Sequence, residues 1–114
     1  MSGIQHRDLA AGRWYQLTLC EQLGNVGSEV SRAIRWTSRN RTLAEGAWHR
    51  ALELLDLTLD DPKLRQSRPR LREVARAREV VVDFFAGSNA YGSSAQSLQK
   101  YFDAYALAAR RHVR

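Results

Sequence analysis

Apolar residues recur at spacings of three and four along most of the chain, and this period predicts four helices separated by three short breaks. The first helix is expected from about Trp14 to Trp36, because Leu19, Leu23, Val26, Val30, Ala33 and Ile34 fall on one face. Gly24, Gly27, Ser28 and Ser31 lie among them. Each glycine weakens an exposed helix by about 1 kcal/mol relative to alanine, yet small side chains let a second backbone approach, so they predict a close-packing seam. A phosphate-cradling glycine loop would need a preceding strand, whereas Leu17 to Glu21 has helical character.

Thr42-x-x-Glu45 has the form of a capping box and opens a second helix with Ala44, Ala47, Trp48, Ala51, Leu54, Leu55, Thr58 and Leu59 on its apolar face. Asp60-Asp61-Pro62 ends it, and the basic stretch up to Pro69 is the longest candidate linker. A third helix, about Arg70 to Ala86, carries Leu71, Val74, Ala77, Val81, Phe84 and Phe85 on one side and Arg72, Arg76 and Glu79 on the other. Gly87 to Gly92 forms a loop, and Ser93-x-x-Gln96 is a second capping-box pattern. The last helix aligns Leu98, Tyr101, Phe102, Tyr105, Ala108 and Ala109. Short connections make successive helices antiparallel, so the expected fold is all-α, an antiparallel up-and-down four-helix bundle. Residues 14–114 are expected to form its single domain, preceded by a flexible N-terminal segment over residues 1–13.

Composition narrows the setting. A chain of 114 residues with 44% hydrophobic content can bury a core without disulfides or metal. Cys20 has no partner cysteine, which fits a reducing compartment. No run approaches the roughly 18–20 apolar residues of a membrane span, and MSGIQHRDLAAGRW lacks the apolar core of a signal peptide. A cytoplasmic protein with no membrane partner is expected.

Catalytic and metal signatures are missing from the sequence. His6, His49 and His112 stand apart from one another, without zinc-ligand spacing, and no cofactor motif or nucleophile motif is found. Ribonucleases of the HEPN type need an arginine one to two helical turns ahead of a histidine. Those positions are Thr42, Leu43 and Ala44 before His49, and Tyr105, Ala106 and Leu107 before His112. Glu53, Asp56 and Asp60 make an acidic stripe better suited to pairing arginines than to acid–base work. A non-enzymatic protein without cofactor or metal is therefore expected.

Charge is the strongest signal. Lys63, Arg65, Arg68, Arg70, Arg72, Arg76 and Arg78 face Glu73 alone between positions 63 and 78, a net of seven minus one that equals the +6 of the whole chain. Clustered cations bind polyphosphate by releasing condensed counterions, and arginine's planar fork matches phosphate better than lysine's ammonium. Arg32, Arg35, Arg39 and Arg41 form a second basic group, and Arg110, Arg111 and Arg114 a third at the tail. In an alternating bundle the Lys63–Arg72 region and the tail share one end. The nucleic-acid-binding set is thus Lys63, Arg65, Arg68, Arg70, Arg72, Arg76, Arg110, Arg111 and Arg114, with Trp36 and Tyr91 as candidate stacking platforms. Arg78 falls near the apolar face of its helix and needs a partner, for which Glu29 is the first choice.

A short basic chain of four helices, with the tripeptide Ala44-Glu45-Gly46 in the second, resembles the four-helix-bundle proteins encoded in ribosomal-RNA intervening sequences and the accessory variability determinants of diversity-generating retroelements. The resemblance implies homo-oligomeric rings with basic surfaces and, for the retroelement members, a reverse transcriptase and its template RNA as partners. Three functional classes stay open: an accessory protein binding nucleic acid, RNA ahead of DNA; an adaptor or toxin–antitoxin-type module whose arginines meet an acidic protein; and a nuclease without a recognised signature.

Overall fold

The computed structural model describes residues 11–111, and they are all-helical, with no strand among them. A helical turn at residues 11–14 is followed by α1 (Leu19–Trp36), α2 (Arg41–Leu59), the short α3 (Pro62–Arg65), α4 (Arg68–Ala86) and α5 (Ala95–Arg111).

Small polar residues decide where each helix starts, and several starts differ from those read off the periodicity. The first helix begins at Leu19 rather than Trp14, because Thr18 and Glu21 form a reciprocal capping box: Glu21 N–H donates to Thr18 Oγ1 at 3.1 Å, and Thr18 N–H donates to Glu21 Oε1 at 2.8 Å. Thr42-x-x-Glu45 is not a capping box. Asn40 caps α2 by accepting from Leu43 N–H at 3.1 Å, and Glu45 pairs with Arg41 at 3.2 Å. The expected linker before Pro69 is itself ordered into α3: Asp61 caps it, Pro62 occupies its first turn and Leu64 is buried. Ser67 and Pro69 then start α4 at Arg68, and at α5 the reciprocal bonds join Ser94 to Ser97 instead of Ser93 to Gln96.

Side-chain contacts fix the helix neighbours. The start of α1 meets the end of α2 where Gln22 reaches Asp61, and Glu29 farther along α1 meets Arg50. Arg78 of α4 meets Asp56 of α2, and Trp48 stacks parallel to Phe85 with ring centroids 6.2 Å apart. Arg78 thus pairs with Asp56 rather than with the expected Glu29. Glu29 is held by Arg32 at 2.8 Å and Arg50 at 3.0 Å, because α1 packs on α2 and α5 rather than against α4.

The glycine seam packs closely. A Cβ built on Gly27 would lie 2.6 Å from Phe102 Cβ, and one on Gly24 would lie 3.1 Å from Ala106 Cα, so α1 and α5 come together only because these side chains are absent. Leu23, Val26 and Val30 of α1, Ala51 and Leu55 of α2, Val74 and Val81 of α4, and Leu98 and Phe102 of α5 converge in one core.

Trp14 closes that core from the N-terminal side. Its indole N–H donates to Thr58 Oγ1 at 2.9 Å, while Gln22 Nε2 donates both to Trp14 O at 3.0 Å and to Asp61 Oδ2 at 2.8 Å. Lys63 completes the network through its backbone N–H to Asp61 Oδ1 and its ammonium to Asp61 Oδ2, both at 2.9 Å, and to Tyr15 O. No buried side-chain nitrogen or oxygen among the described residues lacks a partner. Of the expected N-terminal segment, residues 11–13 are helical and residues 1–10 lie outside the described part.

Candidate nucleic-acid interface

The capping of α4 by Ser67 presents Arg68, Arg70 and Arg72 on its first turns, and all three side chains are exposed. None of the three, nor Arg76, makes an ion pair among the described residues. Arg65 lies just ahead, within 3.4 Å of Asp60, an exposed pair of the kind worth about 0–1 kcal/mol. Four arginines in less than three turns, without carboxylate partners, repel one another and attract a polyanion.

The carboxylates nearest this zone bind tyrosines instead of arginines. Glu73 Oε2 accepts from Tyr101 Oη at 3.0 Å and also from Tyr105 Oη. Burial, reinforced by this carboxylate, pushes both tyrosine hydroxyls above their ordinary pKa, so they stay protonated as donors. Glu79 Oε2 accepts from Tyr91 Oη at 2.8 Å, and that hydrogen bond raises the Tyr91 hydroxyl likewise.

A turn built by Asp83 positions Tyr91. Its carboxylate accepts from Ala90 N–H at 2.8 Å and Tyr91 N–H at 3.0 Å, while Asn89 adopts the left-handed conformation at φ 58° and bonds both backbone polar atoms of Ser93. The loop folds back along α4, and Arg76 Cζ lies 5.8 Å from the centre of the Tyr91 ring. Arg72, Ala75, Arg76, Glu79 and Tyr91 together line a shallow concavity on the outer face of α4. Tyr91 is 46% exposed, whereas Trp36 is half-buried at the far end of α1.

The described members of the expected set divide into three parts. Arg68, Arg72 and Arg76 recur every four residues along one face of α4, while Arg70 lies about 160° round the helix from Arg72 and Arg65 lies ahead in α3. Lys63 stands apart, because its ammonium, though exposed, is tied to Asp61 and to Tyr15 O and braces the fold. Arg110 and Arg111 are exposed at the last turn of α5. The Tyr105–Glu73 contact ties α5 to α4, with Arg110 five residues after Tyr105 and Arg68 five residues before Glu73. Arg114 lies outside the described residues, as do His6 and His112.

The second basic group is partly neutralised by Arg32–Glu29 and Arg41–Glu45, and Arg32 and Arg35 border a polar groove with Ser28, Ser31, Gln99 and Asp103. No cluster of three His, Cys, Asp or Glu among the described residues could hold a metal ion, and His49 is exposed beside Trp48. No described helix is long and apolar enough to cross a membrane.

What sequence reasoning missed is the pairing of Glu73 and Glu79 with tyrosines. Glu79-x-x-x-Asp83 ahead of a tyrosine-bearing loop was the available signal. Compared with known proteins, the chain matches no family model, no curated protein and no solved structure.

Proposed function

We propose that the protein is a non-enzymatic accessory factor that binds nucleic acid, RNA in preference to DNA, through Arg65, Arg68, Arg70, Arg72 and Arg76, with Arg110 and Arg111 extending the surface. The observation that carries this reading is that Arg68, Arg70, Arg72 and Arg76 are exposed and unpaired while the adjacent Glu73 and Glu79 accept from tyrosines. Each phosphate contact releases counterions, so neighbouring arginines add along one backbone.

The scaffold in this reading is an antiparallel up-and-down four-helix bundle, in the cytoplasm, assembling with copies of itself. A reverse transcriptase of a diversity-generating retroelement is the protein partner that the sequence resemblance implies. The zone has the chemistry to bind an acidic protein as well, and one titration separates the two. Binding to labelled RNA, the matching DNA and polyglutamate is measured from about 50 to 200 mM salt, the range over which six or more phosphate contacts cost orders of magnitude in affinity. Tightest binding to RNA with steep salt dependence is expected. Polyglutamate bound as tightly as RNA would favour the adaptor, and cleavage of the labelled RNA, with or without magnesium, would remove the non-enzymatic reading.

A further inference from the structure

The glycine seam that draws α5 onto α1 leaves its other flank open. Gly24 and Gly27 let α5 approach α1 closely, whereas α4 and α5 lack comparable backbone contact and are linked across the gap by Tyr101 and Tyr105 reaching Glu73. Between them lies a cleft of about 230 Å³. Ala77 and Val80 of α4 and Leu98 and Phe102 of α5 supply its apolar surface, and Glu73, Arg76, Ser93, Ser97 and Tyr101 its polar groups. Its volume is below the roughly 300–1,000 Å³ of sites for drug-sized ligands, which limits the occupant to about one flat ring system.

Arg76 borders both this cleft and the concavity formed with Arg72 and Tyr91. A phosphate held by Arg72 and Arg76 therefore belongs to a chain running past the cleft mouth. From this shared border we infer that the cleft takes one unpaired nucleobase of a single-stranded RNA whose backbone lies on the α4 arginines. The partly exposed Val80 and Tyr101 meet the base over a floor of buried Leu98 and Phe102, and its polar edge meets Glu73 and the serine hydroxyls. Paired bases are stacked within the helix and cannot enter, so the cleft selects single strands where the arginines alone do not. This inference rests on the RNA-binding reading and names the form of RNA it requires.

The test uses a labelled single-stranded oligoribonucleotide and the same strand annealed to its complement, against the wild type, Val80→Phe and Ser93→Phe. The two substitutions fill the cleft from opposite sides and leave every arginine in place. The wild type is expected to prefer the single strand. Both variants should lose about tenfold in single-strand affinity, the scale of one stacked base, and keep their duplex affinity, which also reports that they fold. Equal wild-type affinity for the two forms, or variants that bind the single strand unchanged, would overturn the base site and leave phosphate binding standing. Failure of the wild type to bind either form would reject both readings. A change in sedimentation of the variants with RNA affinity unmoved would assign the cleft to a second copy of the chain and equally overturn the inference.

Discussion

Gly27 and Gly46 show how one residue type has opposite consequences in two environments. Both lie inside helices, but a methyl on Gly27 meets the Phe102 Cβ, which is tied to the α5 backbone, whereas one on Gly46 meets nothing within 4 Å. Gly27→Ala should therefore destabilise by about 1–3 kcal/mol as α1 and α5 separate or strain. Gly46→Ala should stabilise by up to about 1 kcal/mol through helix propensity. Urea midpoints of the two variants should move in opposite directions, and a neutral Gly27→Ala would remove the close-packing account of the seam.

Asp61 gives a pH-dependent counterpart. Burial pushes its carboxyl pKa up, but hydrogen bonds from Lys63 and Gln22 and the Lys63 charge outweigh burial and hold it below the ordinary value. A lowered folded pKa stabilises fully above the unfolded pKa of about 3.9 and loses that contribution as pH falls through the folded value. Asp61→Asn should cost about 1–2 kcal/mol at pH 6. Its deficit relative to the wild type should shrink below about pH 4, as followed by urea unfolding across the acid range.

At the scale of helices, caps connect local sequence to the candidate interface. Ser67 Oγ accepts from Arg70 N–H at 3.4 Å, in the turn that displays Arg68 to Arg72. Ser67→Ala should cost about 0.5–2 kcal/mol and weaken amide-exchange protection in the first turn of α4 more than in α2. Uniform loss of protection would argue against a local role.

These same caps mark how far the sequence could be read. Hydrophobic period located the four long helices because their cores demand it, and Gly24 and Gly27 announced the seam by size alone, whereas Ser28 and Ser31 border the polar groove beside it. Helix starts were less legible, since Thr42, Glu45, Ser93 and Gln96 match a capping pattern that Asn40 and Ser94 satisfy instead. The ordering of Lys63–Gln66 around buried Leu64 depends on Asp61 just ahead of it and on Gln22 and Trp14, which are distant in sequence. Likewise, helical position showed that Arg78 needs an anion, but only the packing of α4 against α2 selects Asp56 over Glu29.

Across the whole molecule, charge is sorted by packing. Lys63 and Arg78 belong to the basic run in sequence, yet both are paired with carboxylates, Asp61 and Asp56. Arg68, Arg70, Arg72 and Arg76 stay outside while two tyrosines occupy Glu73 and one occupies Glu79. The run was legible as an excess of charge; which members remained available was not, because neutralisation depends on neighbours supplied by other helices.

The most direct test is the salt dependence of single-stranded RNA binding by the wild type and by a chain carrying Arg68→Ala, Arg70→Ala and Arg72→Ala. Each phosphate contact to a single strand contributes about 0.7 to the slope of log affinity against log salt, so the triple variant should flatten that slope by about 2 and weaken binding at low salt. An unchanged slope and affinity in a folded triple variant would contradict the account, since the arginines at its centre would then make no contact with the nucleic acid.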